Sequence, residues 1–280
     1  FLCVGNEERS MMIRIRVLGG TFLCGSLGVI GSSYWVSYNR AKDESVVPSS
    51  SSSSRDAPIA TEERGRTYKR IEGDRDNVNV AHRIVESTVL LSLAFYSKMV
   101  MQVLNRTDMT SARHERLGEL IQRKAREGRG LITVSNHVTA IDDPGVVAAL
   151  MPLRTLWRKE NFRWTACATD RCFKSLRLVP FFRGGKVLPI ERGAGLYQYG
   201  MDLMIAKLNR GDWVHMFPEG KRSGEGMLKT LKIGVGRLVV DPVTTPLVVP
   251  FYHSGMTQVL DRGEIAPITL GKTMVVEVGD

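Results

Sequence analysis

The sequence predicts an α/β sandwich with a largely parallel central sheet. Two observations carry that expectation. From about residue 110 onward, apolar runs of strand length alternate with segments of helical length, the pattern of strand–helix–strand units. In addition, four stretches rich in charged, polar or turn residues sit at the ends of such runs, where ligands gather in open α/β sheets.

The elements follow in order. Residues 17–38 carry no charge, with Arg14 and Arg16 before them and Arg40 and Lys42 after. Twenty-two residues are enough to span a bilayer, but five are Gly and four are Ser. Residues 1–40 therefore read as a hydrophobic anchor or as a targeting presequence, and both remain open. Residues 41–77 hold the serine run Pro48–Ser54 and a polar, charged continuation, the composition of a disordered linker. The folded domain is expected over 78–280. The chain opens on Phe1 and closes at Asp280, just past the apolar Met274-Val275-Val276, and so reads as C-terminally incomplete.

Residues 78–104 read as a helix. Its uncharged middle, Ser87–Ser97, is too short to cross a bilayer and fits a core helix or one lying in the membrane interface. Ser111 is a good N-cap for a helix through Leu117 and Ile121 that ends at Gly128. Strands are expected at 131–135, 187–190, 213–217, 247–251 and 273–278. Helices are expected at 144–151, 195–208 and 228–240, with Tyr197, Met201, Met204, Ile205 and Leu208 near one face of the second.

The chain has 280 residues, 43% of them hydrophobic, which is enough to bury a core. Its net charge of +10 suits an anionic partner such as a phosphate head group or a lipid surface. No nucleic-acid-binding motif and no P-loop accompany that charge. The four cysteines, Cys3, Cys24, Cys167 and Cys172, lack C-x-x-C spacing and read as free thiols, and no metal site is expected.

Four stretches carry candidate chemistry. The first is Ser135–Asp143, SNHVTAIDD. Histidine is the usual proton acceptor near neutral pH, and a carboxylate on its second ring nitrogen fixes the tautomer. His137 and Asp142 lie five apart, about 140° around a continuous helix, so they pair only if the segment turns. Asp143 before Pro144 fits an N-cap followed by proline at N1, which leaves Asp142 for His137. Taken alone, the same residues fit two caps and a loop histidine. The second stretch is Val187–Gly193, where Arg192 just past a strand suits a phosphate or a solvated loop. The third, Phe217–Ser223, places Glu219, Lys221 and Arg222 in a turn after a strand: Glu219 to orient a substrate hydroxyl or an arginine, the cations to meet a head group. The fourth, Val248–Gly255, is a buried strand opening into a loop, with Pro250 either lining an acyl channel or ending the strand. His215 and His253 read as packing residues.

In this order the stretches resemble the glycerolipid (lysophospholipid) acyltransferase family, whose blocks are H-x-x-x-x-D, a strand ending in x-x-R, F-P-E-G and a V-P-containing strand. Val134-Ser-Asn-His137, Asp142-Asp-Pro144, Arg163-Trp-Thr165, Gly211-Asp-Trp-Val-His215, Phe217-Pro-Glu-Gly-Lys221, Ile233-Gly-Val-Gly-Arg237 and His253-Ser-Gly-Met256 look like the branch that uses a phospholipid as acyl donor. The likeness covers about residues 90–280. It implies a glycerol-3-phosphate acyltransferase-like αβ sandwich with an N-terminal membrane-associated helical segment. It implies an O-acyltransferase in which His137 deprotonates a lysophospholipid hydroxyl and Asp142 holds His137. Arg192 and Phe217, Pro218, Glu219, Gly220 and Lys221 then bind the phosphate head group. No cofactor is implied; phospholipid, lysophospholipid and an anionic membrane surface are the partners, cardiolipin remodelling the best-known outcome, and mitochondrial membranes the first location, with endoplasmic reticulum second. Acyl-CoA-dependent relatives, and a plant branch that acylates the amine of phosphatidylethanolamine, are the alternatives. A serine hydrolase is disfavoured because no G-x-S-x-G occurs. A non-enzymatic lipid binder would need neither H-x-x-x-x-D nor F-P-E-G.

Overall fold

The computed structural model describes residues 16–17, 20–21 and 80–279, apart from 110–111, 123–125, 174, 176, 225–226 and 262–266. The expected linker at 41–77, the Ser111 cap, Cys3 and Cys24 lie outside the described residues. So does the anchor or presequence, except that Arg16–Val17 and Gly20–Thr21 pair as two short antiparallel strands.

Seven strands form one sheet: β1 (Arg106–Asp108), β2 (Leu131–Val134), β3 (Trp164–Ala168), β4 (Val187–Ile190), β5 (Trp213–Met216), β6 (Leu247–Ser254) and β7 (Thr273–Val278). Their order across the sheet is β1-β7-β6-β2-β5-β3-β4. All neighbours are parallel except β6 and β7. The α/β class and the mostly parallel sheet are therefore as the sequence predicts.

Alternation along each central strand builds two cores. Leu131 and Trp213 face one side, and their chain neighbours Ile132 and Val214 face the other. On the first side the sheet is covered by α1 (Val80–Lys98), α2 (Ala112–Ile121), α3 (Asp142–Leu150) and the single-turn α8 (Met256–Val259), through Leu90, Ile121, Val147 and Met256. On the second lie α6 (Tyr199–Asn209) and α7 (Gly234–Val240), through Met204, Ile205, Leu208 and Leu238. Each such fully buried side chain contributes roughly 1.5–3 kcal/mol by leaving water. Gly200 is needed where α6 meets the sheet: a Cβ there would lie 1.8 Å from the Pro189 carbonyl oxygen.

Helix α1 continues into a π-helical turn, Met99–Val103, so the helix expected at 78–104 is present in this two-part form. Its continuity makes Arg83–Val103 long and apolar enough to cross a membrane by length and composition, where the Ser87–Ser97 middle alone is too short. Packing argues the other way. Leu90, Ala94, Val100 and Met101 are buried in the core, and the Lys98 ammonium donates to the carbonyls of Ala149 and Met151 at 3.1 and 2.6 Å.

Four expectations are corrected. The helix expected at 228–240 begins only at Gly234, because the N–H groups of Lys229 and Lys232 are bonded to Glu219 Oε2 and the Pro218 carbonyl. The strand expected at 247–251 runs on to Ser254. Leu247–Pro250 pair with β2 and Phe251–Ser254 with β7, so Pro250 falls where β6 changes partner. Gly255, at φ +85°, then closes the strand so tightly that a Cβ would lie 2.5 Å from the Thr273 oxygen. Cys167 and Cys172 are not free thiols but form a disulfide, since the single-turn helix α4 (Thr169–Cys172) folds back on the end of β3. Finally, Asp143 does not cap α3, as the site makes plain. Strands β1 and β3 and the short helix α5 (Val179–Gly184) are too brief or too mixed in pattern to announce themselves in the sequence.

Candidate active site

Strand β2 ends at Val134, and the chain then turns over the C-terminal edge of the sheet instead of entering a helix directly. The turn is built around one carboxylate. Asp142 Oδ2 accepts from the backbone N–H of Val138 at 2.5 Å and of Thr139 at 2.9 Å, and Oδ1 accepts from the Thr139 hydroxyl at 2.6 Å. These bonds fold residues 137–142 back on themselves and bring His137 Nδ1 to 3.0 Å from Asp142 Oδ2. The pairing expected from the sequence is therefore made. The Asp142 side chain is fully buried, while 22% of His137 remains exposed, so the ring faces the outside and the acid does not.

Burial alone would raise the Asp142 pKa. The hydrogen bonds from His137 and Thr139 and the charges of His253 and His137 outweigh it and hold the carboxyl below its usual value. The acid is thus kept ionised, which suits a partner that orients an imidazole and stabilises its cation.

The backbone of His137 is held from β5. The Glu219 carboxylate, 2% exposed, accepts the His137 N–H at 2.9 Å through Oε1 and the Lys229 N–H at 3.3 Å through Oε2. The Ser223 N–H and hydroxyl both donate to the His137 carbonyl, at 2.7 and 3.2 Å. Phe217 stacks on the His137 ring, centroid to centroid 4.0 Å at 16°. Of the F-P-E-G stretch, Phe217 and Glu219 therefore act on the histidine itself; Glu219 faces backbone N–H groups instead of the hydroxyl or arginine expected from the sequence. Gly220 (φ +65°) makes the turn, and Lys221 beside it is exposed.

A second brace comes from β6. The Asn136 side chain donates to the His253 carbonyl at 2.8 Å and accepts the His253 N–H at 3.0 Å, continuing with a side chain the ladder that β2 has stopped making. His253 Nε2 donates to the Asn136 carbonyl at 3.0 Å and lies 3.8 Å from Asp142 Oδ2. His253 thus packs, as expected, but against the turn that holds His137 and Asp142. His215 is fully buried, 2.9 Å from Thr133 Oγ1, and burial lowers its pKa to about 4.

Asp143, the expected cap, has non-helical φ and ψ (−117°, 117°) and forms a buried ion pair with Arg163. Arg163 also donates to the Gly185 carbonyl at 3.0 Å. The pair ties the start of α3 to β3. Arg192 stands past the end of β4, half exposed and 3.1 Å from Asp170. Two strands, β5 and β3, separate β4 from β2, an offset of about 14 Å along the same edge. The contributions of Asn136, Ser223 and Arg163 were not legible as such. The only hint was their place inside quoted motifs.

Residues 118–254 match the family model described as Acyltransferase, which takes in the histidine–aspartate turn and the F-P-E-G strand end. The turn and the strand end therefore both fall within the stretch that matches that model. Beyond that match, the chain is similar in sequence to tafazzins. It is 36% identical over 196 residues to a tafazzin of Drosophila melanogaster, covering 70% of this chain and 51% of the relative. It is 37% identical over 156 residues to a tafazzin of Dictyostelium discoideum, covering 54% of each. It is also 35% identical over 178 residues to an N-acylphosphatidylethanolamine synthase of Arabidopsis thaliana, covering 63% of this chain and 61% of the relative. The chain thus spans between 51% and 61% of the length of these three relatives.

Proposed function

We propose that this domain transfers a fatty acyl chain to a lysophospholipid hydroxyl, with His137 as general base and Asp142 as the residue that orients it. The observation that carries the reading is the 3.0 Å contact between His137 Nδ1 and a fully buried, ionised Asp142, with the ring itself reachable from outside. With Nδ1–H given to Asp142, Nε2 holds the lone pair. It takes the proton of the hydroxyl as the oxygen attacks the acyl carbonyl of the donor. Collapse of the tetrahedral adduct breaks the donor's ester C–O bond, and the imidazolium returns the proton to the leaving oxygen. No acyl-enzyme forms. Arg192 and Lys221 are the cations we assign to the phosphate head groups, with Gly220 giving Lys221 its turn; Phe217, Pro218 and Glu219 frame them.

For the donor we favour a second phospholipid, so that no coenzyme A is consumed and the outcome is acyl-chain remodelling of the cardiolipin type. The two tafazzin relatives support this. The N-acylphosphatidylethanolamine synthase relative supports a second reading in which the same base deprotonates an amine. We place the protein on one membrane leaflet, with mitochondrial membranes first. The support is α1, whose Ile84, Leu91, Phe95 and Tyr96 are exposed on the side away from the core.

The deciding experiment incubates the protein in anionic liposomes with labelled lysophospholipid and intact phospholipid, with and without acyl-CoA, beside His137→Ala. Transfer without coenzyme A, lost in the variant, is expected. Transfer only with acyl-CoA overturns the donor assignment, and label appearing on the amine of phosphatidylethanolamine selects the second reading. Full activity in His137→Ala overturns the general base.

A further inference from the structure

The segment Met227-Leu-Lys-Thr-Leu-Lys-Ile233 is absorbed by neither the core nor the catalytic turn. Met227, Leu228, Leu231 and Ile233 are 68%, 64%, 60% and 72% exposed. Scattered exposed apolar residues are ordinary, but four within seven residues form a patch. Lys229 and Lys232 alternate with them, and residues 227–233 contain no acid. The strip is also fixed at its base. Lys232 N–H donates to the Pro218 carbonyl at 2.8 Å, Lys229 N–H to Glu219 Oε2, and Lys229 Nζ to the Arg222 carbonyl at 2.7 Å. These bonds hold the apolar side chains outward at the edge where His137 sits.

We infer that Met227–Ile233 is a membrane-contact strip that seats the catalytic edge on an anionic phospholipid bilayer. The four apolar side chains enter the acyl boundary and the Lys232 head meets the phosphates, its stem lying along apolar surface, while Lys229 stays bonded to the Arg222 carbonyl. The strip is separate from the outer face of α1 and differs from it in purpose. Glu219 bonds both the strip, at Lys229, and the histidine, at its N–H. Ser223, between the two, bonds the His137 carbonyl. Glu219 therefore links the strip directly to the backbone of His137. The contact itself does not depend on the proposed reaction.

The test uses the full chain carrying Leu231→Trp, its emission compared with that of the unaltered protein, in anionic vesicles whose phospholipids bear bromine on the acyl chains. Val243→Trp is the control. Val243 is 85% exposed in the loop that leads into β6, at the opposite end of the sheet. The added tryptophan at 231 is expected to lose at least half its emission, with little loss at 243. Adding Lys232→Glu is expected to weaken the quenching. Emission at 231 unaffected by the brominated bilayer overturns the inference. So does equal quenching at 243. Quenching by brominated lysophospholipid monomers but not by vesicles also overturns it, and makes the strip an acyl-chain site. Quenching at 231 in a protein that shows no acyl transfer would sink the proposed function and leave the strip standing.

Discussion

The Glu219 carboxylate accepts the backbone N–H of His137 at 2.9 Å, so a residue just past the end of β5 sets where His137 begins its turn. Removing it leaves two half-buried donors without their acceptor, at up to roughly 1–3 kcal/mol each. Glu219→Ala is expected to lower kcat by about a hundredfold, the scale of a 1 Å misplacement, with little change in KM. Glu219→Gln keeps an acceptor oxygen for His137 and is expected to recover most of the rate. An alanine variant that raises KM alone would instead make Glu219 a substrate contact.

Asp142→Asn retains one acceptor oxygen but puts an amide where Val138, Thr139 and His137 all present N–H groups or a ring nitrogen. Loss of activity on the order of 10²–10⁴ is expected, the range seen when the orienting acid or the base is removed. Circular dichroism should show the fold retained. Activity within threefold of the unaltered protein would refute the assigned role.

Asp143 and Arg163 are both nearly buried, at 5% and 6% side-chain exposure. Breaking such a pair from one side leaves an uncompensated charge and costs about 3–5 kcal/mol. Asp143→Asn is expected to lose that much in urea unfolding. The double variant with Arg163→Met should recover part of it. Strictly additive losses would show that the two charges do not stabilise one another.

Burial lowers the His215 pKa to about 4 in the folded chain, against about 6.5 when unfolded. Between those values the unfolded chain binds the extra proton, so stability rises with pH across that window and is lost as pH falls from 6.5 to 4. About 3 kcal/mol is at stake at the acid end, at 1.4 kcal/mol per unit. Stability measured in urea from pH 4 to 7 should fall more steeply toward acid in the unaltered protein than in His215→Gln. Parallel profiles would exclude His215 as the source.

Much of this was legible because it is periodic. Strands at 187–190 and 273–278 are found at the expected residues, since β-branched runs between turn residues leave little choice. The His137–Asp142 pair was legible because a five-residue spacing pairs only through a turn. What was hidden depends on distant partners. Nothing beside Asp143 says that Arg163 will displace its capping role, and nothing in 228–233 says that its N–H groups are already committed to Pro218 and Glu219. The Cys167–Cys172 bond needs the fold-back after β3, which four intervening positions cannot announce.

The contacts around His137 also differ in how far apart along the chain their partners lie. Its acid is 5 residues away, its backbone brace at Glu219 is 82, and the Asn136–His253 clasp spans 117. Closing short loops is fast and long ones slow, so a partly folded chain can bring the histidine and its acid together well before the sheet is complete. Such an intermediate would carry the chemical pair without the walls that aim and dry it. Recovery of activity on refolding should then follow the last long-range strand pairing, and would time the closure of β6 against β2 instead of the formation of the pair.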